Sequence, residues 1–267
     1  MCRGREALVL LVLAASLAGC TVLRVGQAWT ASRAGFSACT PDPRILCEAG
    51  SEALAKLVVP LLPAAIASVE RAQYAPFAGP IVVYTHVSRA SFARHSGATE
   101  NAAGAVSLGV LNLSPKLLVN PERARGILTH ELSHLHLELV MGTRSLAWAR
   151  LPAWFHEGLA TWVSDGGGAE TVSPAEARHA LREGRGFAPD DSQWLLFPKT
   201  ATSYGLAPHL FYREAALFVG YLHEADGAAF EKMITAIAAR QPFATAVNGA
   251  YGVPLAELWQ RFLTTLD

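Results

Sequence analysis

The chain has no surplus charge of either sign. Its 22 Lys and Arg stand against 22 Asp and Glu. Nothing in that balance points to nucleic acid or to an acidic substrate as partner. It also has no apolar run long enough to cross a bilayer. The run near the front extends from Ala7 to Leu17. It reaches Leu23 only through Ser16, Gly19, Cys20 and Thr21, short of the ~20 residues a spanning helix needs. There is no internal repeat and no low-complexity tract. Cysteine is scarce, at four residues in 267. What remains is a body 51% hydrophobic and 16% charged, enough material for one large globular domain or two small ones, with something attached in front.

The attachment has an export pattern. Arg3 and Arg5 precede the short apolar run, and small residues lead to Cys20. These are the marks of a secretory signal. The sequence Leu17-Ala18-Gly19-Cys20 resembles the bacterial lipobox, which implies removal of residues 1–19 and acylation of Cys20. The protein would then be held to a membrane surface without crossing it. The expected location is the cell envelope, facing the periplasm. Thr21, in place of Asp after the acylated cysteine, favours the outer membrane. An uncleaved anchor or plain secretion is the alternative. Cys2 would leave with the signal, so Cys39 and Cys47 remain as an even pair, with Pro41 and Pro43 bending the chain between them. In an oxidising compartment such a pair closes a small disulfide loop; two free thiols or a metal pair are the other readings. Residues 20–50 are read as a tether carrying this loop.

From Ser51 the pattern is helical to Ala75, interrupted at Pro60 and Pro63. A β-branched strand follows at residues 79–87, opened by Gly79 and Pro80, then a short helix capped by Ser88. One or two strands with turns, readable as a hairpin, are expected around Val106, Leu108, Val110 and Leu113. A long helix starts near Asn120 and Pro121 and stops at Gly142. A second carries Trp154 to Trp162, a short third ends at Gly184, and three more follow an irregular segment at residues 185–208. The expectation is an α+β fold. A small mixed sheet lobe spans residues 51–120, and a mainly helical lobe spans 121–267. The sheet lobe would form one wall of a cleft, and its last strand, near Val106 to Leu113, would pair with an extended peptide.

The long helix holds "THELSH". Residues four apart on a helix sit about 40° apart around the axis, so His130 and His134 project from one face. Glu131 lies beside that face. This H-E-x-x-H spacing is the zinc-hydrolase arrangement, with the glutamate as general base. Catalytic zinc takes three protein ligands and keeps one position open. His136 is about 200° around the helix from His134 and points away. Glu157, 23 positions beyond His134 in "WFHEGLATW", lies on the second helix.

H-E-x-x-H followed by E-G-x-A on the next helix closely resembles the gluzincin metallopeptidases, the peptidase MA-like group, over roughly residues 81–266. The resemblance implies a zincin-like helical lobe with the metal site on two helices. His130, His134 and Glu157 would be ligands of one Zn2+ and Glu131 the general base for peptide-bond hydrolysis. It also implies a Tyr or His donor to the oxyanion, with Tyr212 the first choice and Tyr204 and His209 next. His136 and His156 are read as structural, and Glu138 as a hydrogen-bond acceptor behind His134. The chain departs from the better-known members in three respects. Thr161 stands where some carry a histidine-orienting Asp, with Asp165 a further turn on. No G-A-M-E-N stretch is present, and there is no large extra domain. An endopeptidase or processing peptidase therefore fits better than an aminopeptidase. The expected partners are a peptide or protein substrate and, through the lipid, a membrane, with no nucleic acid. The rival reading is an inactive, zinc-holding envelope lipoprotein that binds a protein through the same groove.

Overall fold

The structure is a computed structural model that describes residues 24, 26–145, 148–191 and 199–266. The signal segment 1–19 and Cys20 lie outside them. The described chain is α+β and divides into two compact units. One takes the residues up to Leu57 together with Val82–Pro121; the other takes Val58–Ile81 and the residues from Glu122 onward.

The first unit is built on a mixed five-stranded sheet. Its strands are β1 (Phe36–Ala38), β2 (Ile45–Glu48), β3 (Val83–Thr85), β4 (Gly104–Ser107) and β5 (Val110–Leu113), in the order β1-β2-β3-β5-β4. The outer pairs are antiparallel and the two inner pairs, β2 with β3 and β3 with β5, are parallel. Side chains alternate across a strand, so Ile45, Val83 and Leu111 form one row. Cys47, Thr85 and Leu113 form the next, and all six are buried. Helix α1 (Glu52–Val58) follows β2. Ser51 Oγ, 2.9 Å from both Thr85 O and Thr85 Oγ1, ties that corner to β3. On α3 (Arg89–Ser96), Ser88 caps the start by accepting from Ser91 N, and Gly97 ends it in the left-handed region.

Three expectations about this unit are corrected. Residues 36–48 are not part of a tether, because β1 and β2 lie in the sheet, and Cys39 and Cys47 are joined at a Cα–Cα distance of 5.8 Å. Strands of three and four residues are too short to register as alternation, and one of the two partners of β2, the strand β3, lies far along the chain. Residues 58–81, assigned to the sheet lobe, belong to the helical unit. There, α2 (Leu62–Ala72) runs to Gln73, whose amide donates to Ser133 Oγ at 2.6 Å. Finally, the last strand placed near Val106 to Leu113 is two strands, paired as the hairpin that was the other reading. Leu108 and Gly109, both with positive φ (57° and 72°), make its two-residue turn, so β4, and not the strand next to β3, lies at that edge of the sheet.

The second unit is helical. After a 3₁₀ turn at Pro121–Arg123 come α4 (Ala124–Met141), α5 (Ala153–Val163), α6 (Pro174–Arg182), α7 (Pro208–Ala225), α8 (Gly227–Ala238), α9 (Phe243–Tyr251) and α10 (Leu255–Thr264). Asn120 does not cap α4, because the 3₁₀ turn stands between them and no side chain caps the start. Gly142 does end it. Ser173 and Glu176 form a capping box on α6. The helix α9 was not anticipated. It is short, and Thr245, Val247, Asn248 and Gly249 offset the helical preference of its Ala residues.

Helix α4 is buried almost all round, from Ala124 to Met141, which marks a core helix. Trp154, Phe155, Phe187, Phe211, Phe218, Phe230, Trp259 and Phe262 fill the space around α5 and α7. Their rings meet at tilted or edge-to-face angles, as Phe218 does on Trp259 with centroids 4.9 Å apart. Among the described residues no single helix is long and apolar enough to cross a membrane.

Candidate metal centre

His130 and His134, one turn apart on α4, aim their rings at the same point. Their Nε2 atoms are 3.1 Å apart. Glu157 on α5 brings Oε2 to 3.3 Å from His130 Nε2 and 3.6 Å from His134 Nε2. These three residues form a group that could hold a metal ion. The spacing can be tested against an ion. Four donors at tetrahedral corners, each about 2.0–2.1 Å from a zinc ion, stand about 3.3–3.4 Å from one another. The three edges here, 3.1, 3.3 and 3.6 Å, lie around that figure. Two imidazole nitrogens and one carboxylate oxygen are also a donor set that zinc accepts.

The two histidine rings are each held by a neighbour. His130 Nδ1 donates to the Gly167 carbonyl at 2.9 Å, which leaves Nε2 with its lone pair toward the site. The Gly167 carbonyl belongs to a loop, residues 165–172, that passes close over the ring. A Cβ on Gly168 (φ 81°) would lie 2.8 Å from His130 Cε1, so only glycine fits there. In the sequence these glycines mark a turn; their service to His130 was missed, and so was the acceptor. The orienting group that the resemblance puts at position 161 is here a backbone carbonyl, and Thr161 is buried on α5.

His134 is held differently. The His156 ring stacks on it, with centroids 4.3 Å apart and planes 14° off parallel. Burial, reinforced by the neighbouring His134, pushes His156 down to about 3, so it stacks as a neutral ring. His134 Nδ1 has no hydrogen-bond partner among the described residues. The acceptor role expected of Glu138 is therefore corrected, since Glu138 is buried on α4 but does not bond that nitrogen. His136 points away, as its helical position requires. It lies 2.8 Å from Ala75 O and meets the Phe77 ring edge-on.

The electrostatics follow from the crowding. Burial opposes charge on Glu157, but His134 and His130 outweigh it and hold the carboxyl far below the usual range. Burial raises Glu131, against the pull of His130 and His134 and with the help of Glu157. Tyr212 on α7 is driven far above 10 by the Glu157 charge, then by burial, Glu131 and a hydrogen bond to Glu157, so it remains a donor. Its ring lies against His130 at 6.1 Å.

Why Tyr212 arrives there is a matter of helix approach. A Cβ on Gly158 would stand 2.8 Å from the Ala215 carbonyl carbon and oxygen. The glycine after Glu157 thus lets α7 lie directly on α5. Tyr204 and His209 are not brought to the site. Tyr204 stacks on Phe211, and His209 Nδ1 bonds Thr171 on the glycine loop. No protein-family model, no curated protein and no solved structure matches the chain.

Proposed function

We propose that the chain is a zinc-dependent peptidase of the gluzincin type, an endopeptidase or processing enzyme, held by a lipid on Cys20 at the periplasmic side of the envelope, with the outer membrane favoured. The observation that carries the reading is the convergence of His130, His134 and Glu157 on one point with Glu131 beside them. Three ligands without a base would suffice for a binding module; the base has a use only if water is to be activated.

Zinc, when bound, supplies a Lewis acid and a coordinated water that ionises near neutral pH. The remaining roles fall to the chain. Glu131, with its carboxyl raised by burial, accepts the proton of the attacking water and delivers it to the nitrogen of the leaving amine. Tyr212, kept protonated, donates its hydroxyl hydrogen to the oxyanion as the carbonyl becomes tetrahedral. The Gly167 carbonyl and the His156 ring keep the two histidines from turning.

Glu131→Gln tests the proposal. It keeps the shape and the ligands and removes the proton acceptor. The full-length chain should keep one zinc, while cleavage of a peptide library falls by about 10²–10⁴-fold. Tyr212→Phe should lose about 10²-fold, also with zinc retained. Wild-type chain that binds zinc but cuts nothing, together with a cellular phenotype that survives Glu131→Gln, would favour the inactive binding protein and overturn the enzyme.

A further inference from the structure

The glycine loop orients His130, and something must orient the loop. Residues 165–172 form a string of turns: Gly166 N donates to Thr161 O, Ala169 N to Gly166 O and Val172 N to Ala169 O. Such turns leave carbonyls with acceptor capacity, and three of them face the same way. Arg213 on α7 meets all three. Its Nε donates to Val172 O at 2.8 Å, and Nη2 lies 3.2 Å from Ala169 O and 3.5 Å from Gly166 O. The planar guanidinium offers several donors in a rigid fork, which a lysine ammonium cannot reproduce. The fit is close. A Cβ on Gly166 (φ 96°) would stand 2.5 Å from Arg213 Nη1 and Nη2, so the fork lies against bare backbone. Between Ala169 and Val172 the loop is also held by Glu170 on Arg123 at 2.9 Å and by Thr171 on His209.

One residue further along the loop, Gly167 O takes the His130 Nδ1 proton. The contacts therefore run from Arg213 through Gly166 and Gly167 to the imidazole. Arg213 is also the neighbour of Tyr212 in sequence. A single helix thus presents a donor to the site with one residue and grips the loop behind His130 with the next.

We infer that Arg213 is a positioning residue for the metal centre: by clamping the carbonyls of the 166–172 loop it fixes the Gly167 carbonyl, and through it the ring of His130. The inference rests on His130 being a metal ligand, as proposed above. Arg213 touches neither metal nor substrate. Its loss is expected to appear as weaker zinc binding and an altered ligand field, beyond any loss of stability.

The experiment compares full-length wild type, Arg213→Met, Arg213→Lys and His130→Ala. Zinc affinity is read by competition with a chelator, the Co2+-substituted absorption spectrum reports ligand geometry, and thermal unfolding of the metal-free forms reports stability. Arg213→Met keeps the apolar stem and loses every donor. It should bind zinc about 10-fold more weakly, the low end of what losing an orienting partner costs, and should shift the cobalt bands. Arg213→Lys should fall between it and wild type. If Arg213→Met does not fold, Arg213→Lys decides alone, with weaker zinc at unchanged stability expected. Variants that lose stability but keep wild-type affinity and spectrum make Arg213 a structural residue only, and overturn the inference. A wild type that binds zinc no better than His130→Ala overturns the metal-centre reading itself, a separate and visible failure.

Discussion

Gly158→Ala sets two known effects against each other at one position. Replacing an interior helical glycine by alanine ordinarily stabilises by roughly 0.5–1 kcal/mol, because the unfolded chain loses freedom and the helix gains propensity. At Gly158 the new methyl would stand 2.8 Å from Ala215 C and O and 2.9 Å from its Cβ. These atoms are backbone and Cβ of a buried residue, with no rotamer to yield. Helices α5 and α7 must move apart, and overfilling a close-packed contact costs about 1–3 kcal/mol. The sum is a destabilisation of about 1 kcal/mol. Gly249 in α9 is the control, since nothing lies within 4 Å of its Cβ position and Gly249→Ala should show the gain alone. Urea unfolding of the full-length proteins, with slopes unchanged, should separate the two variants by about 1–3 kcal/mol. Zinc affinity should also fall in Gly158→Ala, whose neighbour Glu157 is carried by the displaced helix, and stay at the wild-type value in Gly249→Ala. Refutation is simple: a Gly158→Ala protein as stable as wild type, with unaltered zinc, would mean that the close approach does not set the site.

Two further outcomes are expected. Glu214 is fully buried on α7 and accepts from Phe187 N at 3.2 Å, and burial pushes its carboxyl up to about 7. The folded chain then keeps a proton that the unfolded chain has lost between about pH 4.5 and 7, so stability should fall as pH rises through that window, by roughly 3 kcal/mol. Glu214→Gln should remove that part of the slope; identical pH profiles for wild type and variant would contradict the assignment. At the front of the chain, Cys20→Ser should abolish labelling by radioactive fatty acid and leave the protein unprocessed or released from membranes. Continued labelling of that variant would exclude Cys20 as the lipid site.

Much of the candidate site was legible before any fold. An i, i+4 pair of histidines lies on one helical face by the geometry of 3.6 residues per turn. The same geometry turns His136 away, and His136 does bond to Ala75 O on the other side. The α+β class followed from local pattern too, as did the Ser88 cap and the Gly142 stop. These features depend on a few neighbouring residues, and the chain carries that information locally. The resemblance ranked Tyr212 ahead of Tyr204 and His209, but local pattern could not place any of the three. All three lie on or just before α7, and which one faces Glu157 depends on how closely α7 approaches α5 at Gly158. The same holds for Gly167 O, since a carbonyl is anonymous in sequence until a fold aims it. It holds again for β2, a short strand whose second partner, β3, is distant, and for Glu138, which spacing offered to His134 and the fold did not deliver. Helical periodicity decided which side chains could converge. Tertiary packing decided which of them do and what holds them there, because a contact between segments far apart in the chain leaves no periodic trace in either segment.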